Sequence, residues 1–169
     1  MLHAAAALLL SLAQAAPGSD GGLVYAKGKK FLAEVAHTPQ AQARGLMYRQ
    51  MFKPDRAMFF LYTDDSYRPI WMKNCLISLD VVWIDAEGKV VEIAERCPPC
   101  SPMRGDDCPN YGGKVVSRHF VEFAAGTVKR LGLKTGDRLG WELAFVDGST
   151  HEGGLRVAAK PVARKARKR

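Results

Sequence analysis

The sequence predicts a mostly β, compact, single-domain β-sandwich or barrel with two short helices. Three observations predict it. Apolar residues fall in short runs rich in β-branched and aromatic types, such as "AMFFLY" (57–62) and "LDVVWID" (79–85). Gly, Pro, Asn and Asp punctuate these runs at short intervals. Only two stretches, opening at Thr38 and at Thr127, have helix start and stop chemistry. The chain has 169 residues, 47% apolar and 25% charged, enough for one soluble domain with a real core.

Taken in order, "LVYAKGKKFLAEVA" (23–36) reads as two short strands, or one interrupted strand, around Lys27-Gly28. Thr38 caps the first helix, Pro39 occupies its first turn, where no N–H is needed, and Gly45 limits its length. "AMFFLY" is a buried strand. "YRPIWMKNC" (67–75) is another, with Pro69 near its start, where proline is tolerated. Residues 79–85 and 89–95 form a hairpin about "AEG", with Gly88 supplying positive φ. Residues 97–113, "CPPCSPMRGDDCPNYGG", are a long loop that cross-linking would explain. "RHFVEFAA" (118–125) is a strand, "GTVKRLG" (126–132) a helix of one to two turns, and "RLGWELAFV" (138–146) the last strand.

The two ends differ from the domain between them. An apolar run, Ala4 to Ala13, precedes Ala13-Gln14-Ala15, the pattern of a secretory signal peptide over residues 1–15. The domain then spans 23–147, and 148–169 reads as a basic, disordered tail. Lys160, Arg164, Lys165, Arg167, Lys168 and Arg169 carry six of the net +8, leaving +2 for the rest of the chain. The basicity therefore belongs to the tail, and a nucleic-acid partner is not expected. An exported chain would meet a small molecule or a cell-envelope component instead, as a monomer, in the periplasm or outside the cell. No transmembrane segment, cofactor or metal is expected.

"WMKNCLISLDVVWID" (71–85) places Lys73, Asn74, Cys75 and Asp80 inside an apolar run. If 71–77 is a strand, its side chains alternate. Lys73 and Asp80 could then pair as a purely structural unit, since buried charges need partners. The sharper reading is a pocket for a small anionic ligand, with Arg44, Lys73 and Asn74 as donors and Trp71 and Tyr111 as apolar walls. The alternative is an enzyme of unassigned chemistry using Arg44, Lys73, Asn74 and Asp80. Hydrolase signatures are lacking: His37, His119 and His151 stand in no nucleophile or ligand motif, and "GLKTGD" lacks phosphate-loop spacing. Glu122 and Asp137 act as acid and base only if the fold unites them.

"ARGLMYR" (43–49), "AMFFLY", "WMKNCLISLDVVWID", "CPNYGG" (108–113) and "EFAAGTVKRLGLKTGD" (122–137), in this order, resemble the DUF192 family, also called UPF0127. The resemblance covers roughly residues 30–145. It implies a compact, jelly-roll-like β domain, often exported, and no established activity. Cys75 stands where Thr is common in that family, and Ser78 where Pro is. Four cysteines, Cys75, Cys97, Cys100 and Cys108, allow three disulfide connectivities. The resemblance implies that Cys100 bonds Cys108, which leaves Cys75 and Cys97 as a second pair. A three-residue hairpin loop would place position 75 opposite about position 99, which permits that second pair without requiring it.

Overall fold

The computed structural model describes residues 20–155. The expected signal segment, 1–15, and the end of the tail, from 156, lie outside the described residues.

The chain opens with a hairpin of β1 (Gly21–Ala26) and β2 (Lys29–Ala36). Lys27 and Gly28 both take positive φ, 48° and 74°, the mirror-image turn that matches strand twist. Helix α1 (Pro39–Arg44) follows, with the Thr38 side chain accepting from the Ala41 N–H. It carries the chain across to β3 (Arg56–Phe60), which pairs in parallel with β2. Next come β4 (Ile70–Trp71), β5 (Leu79–Ile84), β6 (Val90–Cys97), β7 (Asn110–Tyr111) and β8 (His119–Ala124). Helix α2 (Thr127–Leu131), β9 (Leu139–Ala144) and β10 (Thr150–Gly154) complete the described chain.

Eight strands make one sheet in the order β10-β9-β1-β2-β3-β8-β5-β6; β4 and β7 form a separate ribbon. The large sheet curls into a half-barrel. Its far end returns toward β9: the Val90 N–H donates to the Asp137 carbonyl, and the Leu139 N–H to the Gly88 carbonyl, both at 2.8 Å.

Alternation along the strands divides the core in two. Val24, Phe31, Phe59, Val82, Val121, Phe123 and Trp141 pack on one face, where Val128 and Leu133 close the end. Met58, Phe60, Leu79, Val81, Trp83 and Phe120 pack on the other, beneath Leu46, Ile70, Met72 and the cysteine loop. Strand β5 is buried at every position because it lies between β6 and β8 and is covered on both faces, so apart from Asp80 it reads as an apolar run.

Three expectations are corrected. First, 71–77 is not a strand: β4 ends at Trp71, the Cys75 N–H returns to the Met72 carbonyl (3.1 Å), and Asn74 takes φ 57°. A short polar side chain tolerates that left-handed conformation, so the chain turns where the strand alternation would have run. Second, ordered structure continues past 147, because β10 pairs with β9 from Thr150↔Ala144 to Gly154↔Gly140. Backbone pairing needs no apolar side chains, so composition did not reveal it. Third, Cys100 and Cys108 are bonded, whereas Cys75 and Cys97 are buried free thiols. The bulges in the β5–β6 ladder shift Leu79 opposite Cys97, so the simple register that permitted a Cys75–Cys97 bond does not hold.

Candidate functional site

On the face covered by α1 and β4, a cavity of about 50 Å³ is lined by Arg44, Leu46, Phe60, Ile70, Trp71, Cys75 and Glu122. That is space for roughly three or four water-sized groups. Its shape follows from local chemistry. Helix α1 is stopped at Gly45 (φ 45°), where an added Cβ would sit 3.2 Å from the Phe60 ring. The chain then turns through Tyr48, an aromatic residue at φ 62°. Such a backbone needs external support, and the Tyr48 N–H finds it at the Asn74 carbonyl, 2.8 Å away.

The opposite wall is the ribbon. Ile70 pairs with Tyr111 and Trp71 with Asn110, and the Cys100 N–H donates to the Met72 carbonyl at 3.2 Å. Lys73 forms an ion pair with Asp106 in the disulfide-closed loop. Its ammonium also stands 5.1 Å from the centroid of the Trp71 ring. The cross-linked loop thus holds Trp71 at the rim, where it is 42% exposed.

Glu122 lines this cavity from β8. It is 6% exposed, and its Oε2 has no hydrogen-bond partner. Burial alone raises its carboxyl from 4.5 to about 8, so near neutrality it is mostly a neutral acid. Cys75 beside it is pushed up to about 12, first by burial and then by Glu122. That thiol is a poor nucleophile.

The predicted site residues separate. Arg44 and Trp71 line the cavity. Tyr111 supports Trp71 through the ribbon. Lys73 is engaged with Asp106, and Asn74 is the turn residue, its side-chain amide directed at the Met47 sulfur (3.8 Å). Lys73 and Asp80 do not share partners. Asp80 is fully buried and accepts from the backbone N–H groups of Arg96 and Val128, each at 2.8 Å. The apparent core position of Lys73 came from extending the strand past Trp71, where β4 ends, whereas Asp80 is a structural acceptor.

Glu122 and Asp137 are not brought together either. Asp137 pairs with Lys27 at 2.6 Å and accepts from the Lys134 N–H. The available signal for Glu122 was a lone acid inside the apolar run of "HFVEFAA".

A wider, open depression of about 530 Å³ lies by Asp20, His37, Phe145 and Asp147. Its polar groups satisfy one another. His37 Nε2 meets Asp20 Oδ2 at 2.7 Å, Asp20 Oδ1 accepts from Val146 N–H, and the Ser149 hydroxyl donates to Asp147. Larger size therefore does not make it the better site; the unpaired carboxyl does. Among the described residues, no group of three or more His, Cys, Asp or Glu is placed to hold a metal ion.

Comparison with other proteins adds the following. The family model DUF192, described as "Uncharacterized ACR", matches residues 23–141. A crystal structure from Sinorhizobium meliloti, described as a candidate transcription regulator, is 32% identical with a TM-score of 0.61 and aligns 73% of this chain with 92% of that one. A protein of unknown function from Novosphingobium aromaticivorans is 27% identical with a TM-score of 0.62, and the alignment covers 73% of this chain and 84% of that one. No protein of curated function matches.

Proposed function

The chain belongs to the DUF192 family, a family of unknown function, and from that premise we propose that it is an exported, non-catalytic binding module whose small ligand enters the Glu122 cavity beside Trp71. One observation carries the reading: an unpaired, buried carboxyl facing a small cavity whose rim bears an exposed indole. A buried polar group without a partner costs stability, and a fold retains such a group where something else completes it. The walls combine the apolar side chains of Leu46, Phe60, Ile70 and Trp71 with the polar groups of Gln42, Arg44 and Glu122, and a few convergent polar groups among apolar ones are common in ligand sites.

Catalysis is the weaker reading. Arg44, Lys73, Asn74 and Asp80 do not converge, and the thiol in the cavity wall is not activated. The purely anionic pocket also loses support, because Lys73 is already paired and the buried group is an acid. The regulator role described for the Sinorhizobium protein is not carried over. No helix among the described residues exceeds six residues, so none there serves as a groove-reading recognition helix.

Export is supported by the apolar run before Ala13-Gln14-Ala15 and by the Cys100–Cys108 bond, which suits an oxidising compartment. Mass spectrometry of protein from its native host should find an amino terminus near Ala16; an intact Met1 refutes export.

Binding is tested by NMR with a library of small fragments of every charge type. The amide signals of Leu46, Cys75 and Glu122 should move together with some fragment. If no fragment moves them at saturating concentration, the cavity is not a ligand site.

A further inference from the structure

We infer that the ligand of this cavity is a short zwitterion, with its ammonium against Glu122 and its acid group at Arg44; the inference rests on the binding reading above. The two ends of the cavity make opposite demands. At the base, Glu122 offers only carboxyl oxygens, one of them wholly buried and unpaired. An ammonium supplies three donors and a positive charge to such a group, and it lies close to apolar and aromatic walls that favour a cation, Phe60 and Trp71 among them. At the outer end, the Arg44 side chain is exposed and has no hydrogen bond or ion pair among the described residues. Its planar fork matches a carboxylate or another oxyacid.

An anion alone would pair with Arg44 and accept at most one hydrogen bond from Glu122, which stays a protonated acid beside it. A simple cation would satisfy Glu122 and approach past an unpaired guanidinium. Only a molecule carrying both charges forms an ion pair at each end. The cavity's free space of about 50 Å³ takes the ammonium and a short carbon link, and the acid group lies at its open mouth beside the exposed Arg44. The other titratable groups near Glu122 are Tyr62, Cys75 and Cys97, each of which senses its charge. Tyr62 is raised by burial above all, and both thiols are raised to about 11 or 12, so all three stay neutral near pH 7. Glu122 is therefore the group that changes charge when an ammonium arrives: the ligand's positive charge replaces the proton, which leaves to solvent.

The test uses glycine, β-alanine, methylammonium and acetate as probes, with NMR titration of the Leu46, Cys75 and Glu122 amides and calorimetry at pH 6.5 in buffers of different ionisation heat. Glycine or β-alanine should bind at least tenfold more tightly than methylammonium or acetate, with release of close to one proton per ligand. Glu122→Gln and Arg44→Met should each weaken binding at least tenfold, and Glu122→Gln should abolish the proton release. Equal binding of methylammonium and β-alanine, or acetate binding that survives Glu122→Gln, overturns the assignment. If none of the four probes binds while other fragments move the same amides, the zwitterion assignment falls and the binding reading stands. If nothing moves them, both fall.

Discussion

Replacing Glu122 by Gln should flatten the dependence of stability on pH. The unfolded carboxyl gives up its proton near pH 4.5, and the folded one near 8, because burial penalises the charged form. Between those values the folded chain holds one proton more than the unfolded chain, so stability falls as pH rises. The slope is about 1.4 kcal/mol per pH unit, which makes about 3 kcal/mol by pH 7 and about 5 kcal/mol across the window. Below pH 4.5 the effect is absent, and above 8 it is complete. Gln keeps the shape and cannot ionise. Its amide will leave polar atoms unpaired, so the absolute stability of the variant is less informative than the slope. The assay is urea unfolding of both proteins at pH 5, 6, 7, 8 and 9, comparing their difference so that other carboxylates cancel. Wild type should lose ground to the variant steadily from pH 5 and level off above 8. Parallel curves within about 1 kcal/mol would refute the reasoning, and so would a wild type that gains on the variant as pH rises. The second result would mean that Glu122 is ionised and paired in the folded chain.

Three further outcomes follow from the geometry. His119 is held down to about 3, first by burial and then by the neighbouring His151 and Arg118. It refuses a proton that the unfolded chain accepts below pH 6.5, so its contribution is lost as pH falls from 6.5 toward 3. Between pH 4.5 and 6.5 this trend opposes that of Glu122, and urea unfolding should show a near-plateau there that His119→Gln tilts. Asp80→Ala should cost about 3–5 kcal/mol in denaturant unfolding, since two backbone donors lose a charged acceptor. The Val128 N–H is one of them, at the start of a helix whose own N-cap, Gly126, offers no side chain; Asp80→Asn should cost clearly less. Breaking the disulfide with Cys100→Ser and Cys108→Ser should cost about 2.5 kcal/mol by loop entropy over its eight-residue separation. It should also change the fluorescence of Trp71, whose strand the loop holds.

Much of the architecture was legible in the chain itself. Local rules decided those parts. The Lys27-Gly28 turn, the Thr38 cap, Gly88 in its hairpin and the stop at Gly132 depend on backbone conformations that neighbouring residues specify. The apolar runs of β3, β5 and β8 declared strands because packed sheets favour such side chains. Ordered sequence blocks were enough to place the chain in its family.

Tertiary structure alone decided the site. Lys73 lies seven residues from Asp80 in sequence, yet their partners are Asp106 and the N–H groups of Arg96 and Val128. A single left-handed residue, Asn74, redirected everything after Trp71. Glu122, named from the sequence only as a partner for Asp137, became a cavity residue once β3 and β5 flanked it and α1 and β4 covered it, leaving Oε2 without a partner. Charge, hydrogen bonding and dehydration depend on which groups meet across long stretches of chain. Those meetings are settled by packing of the whole sheet, and no local sequence rule contains them.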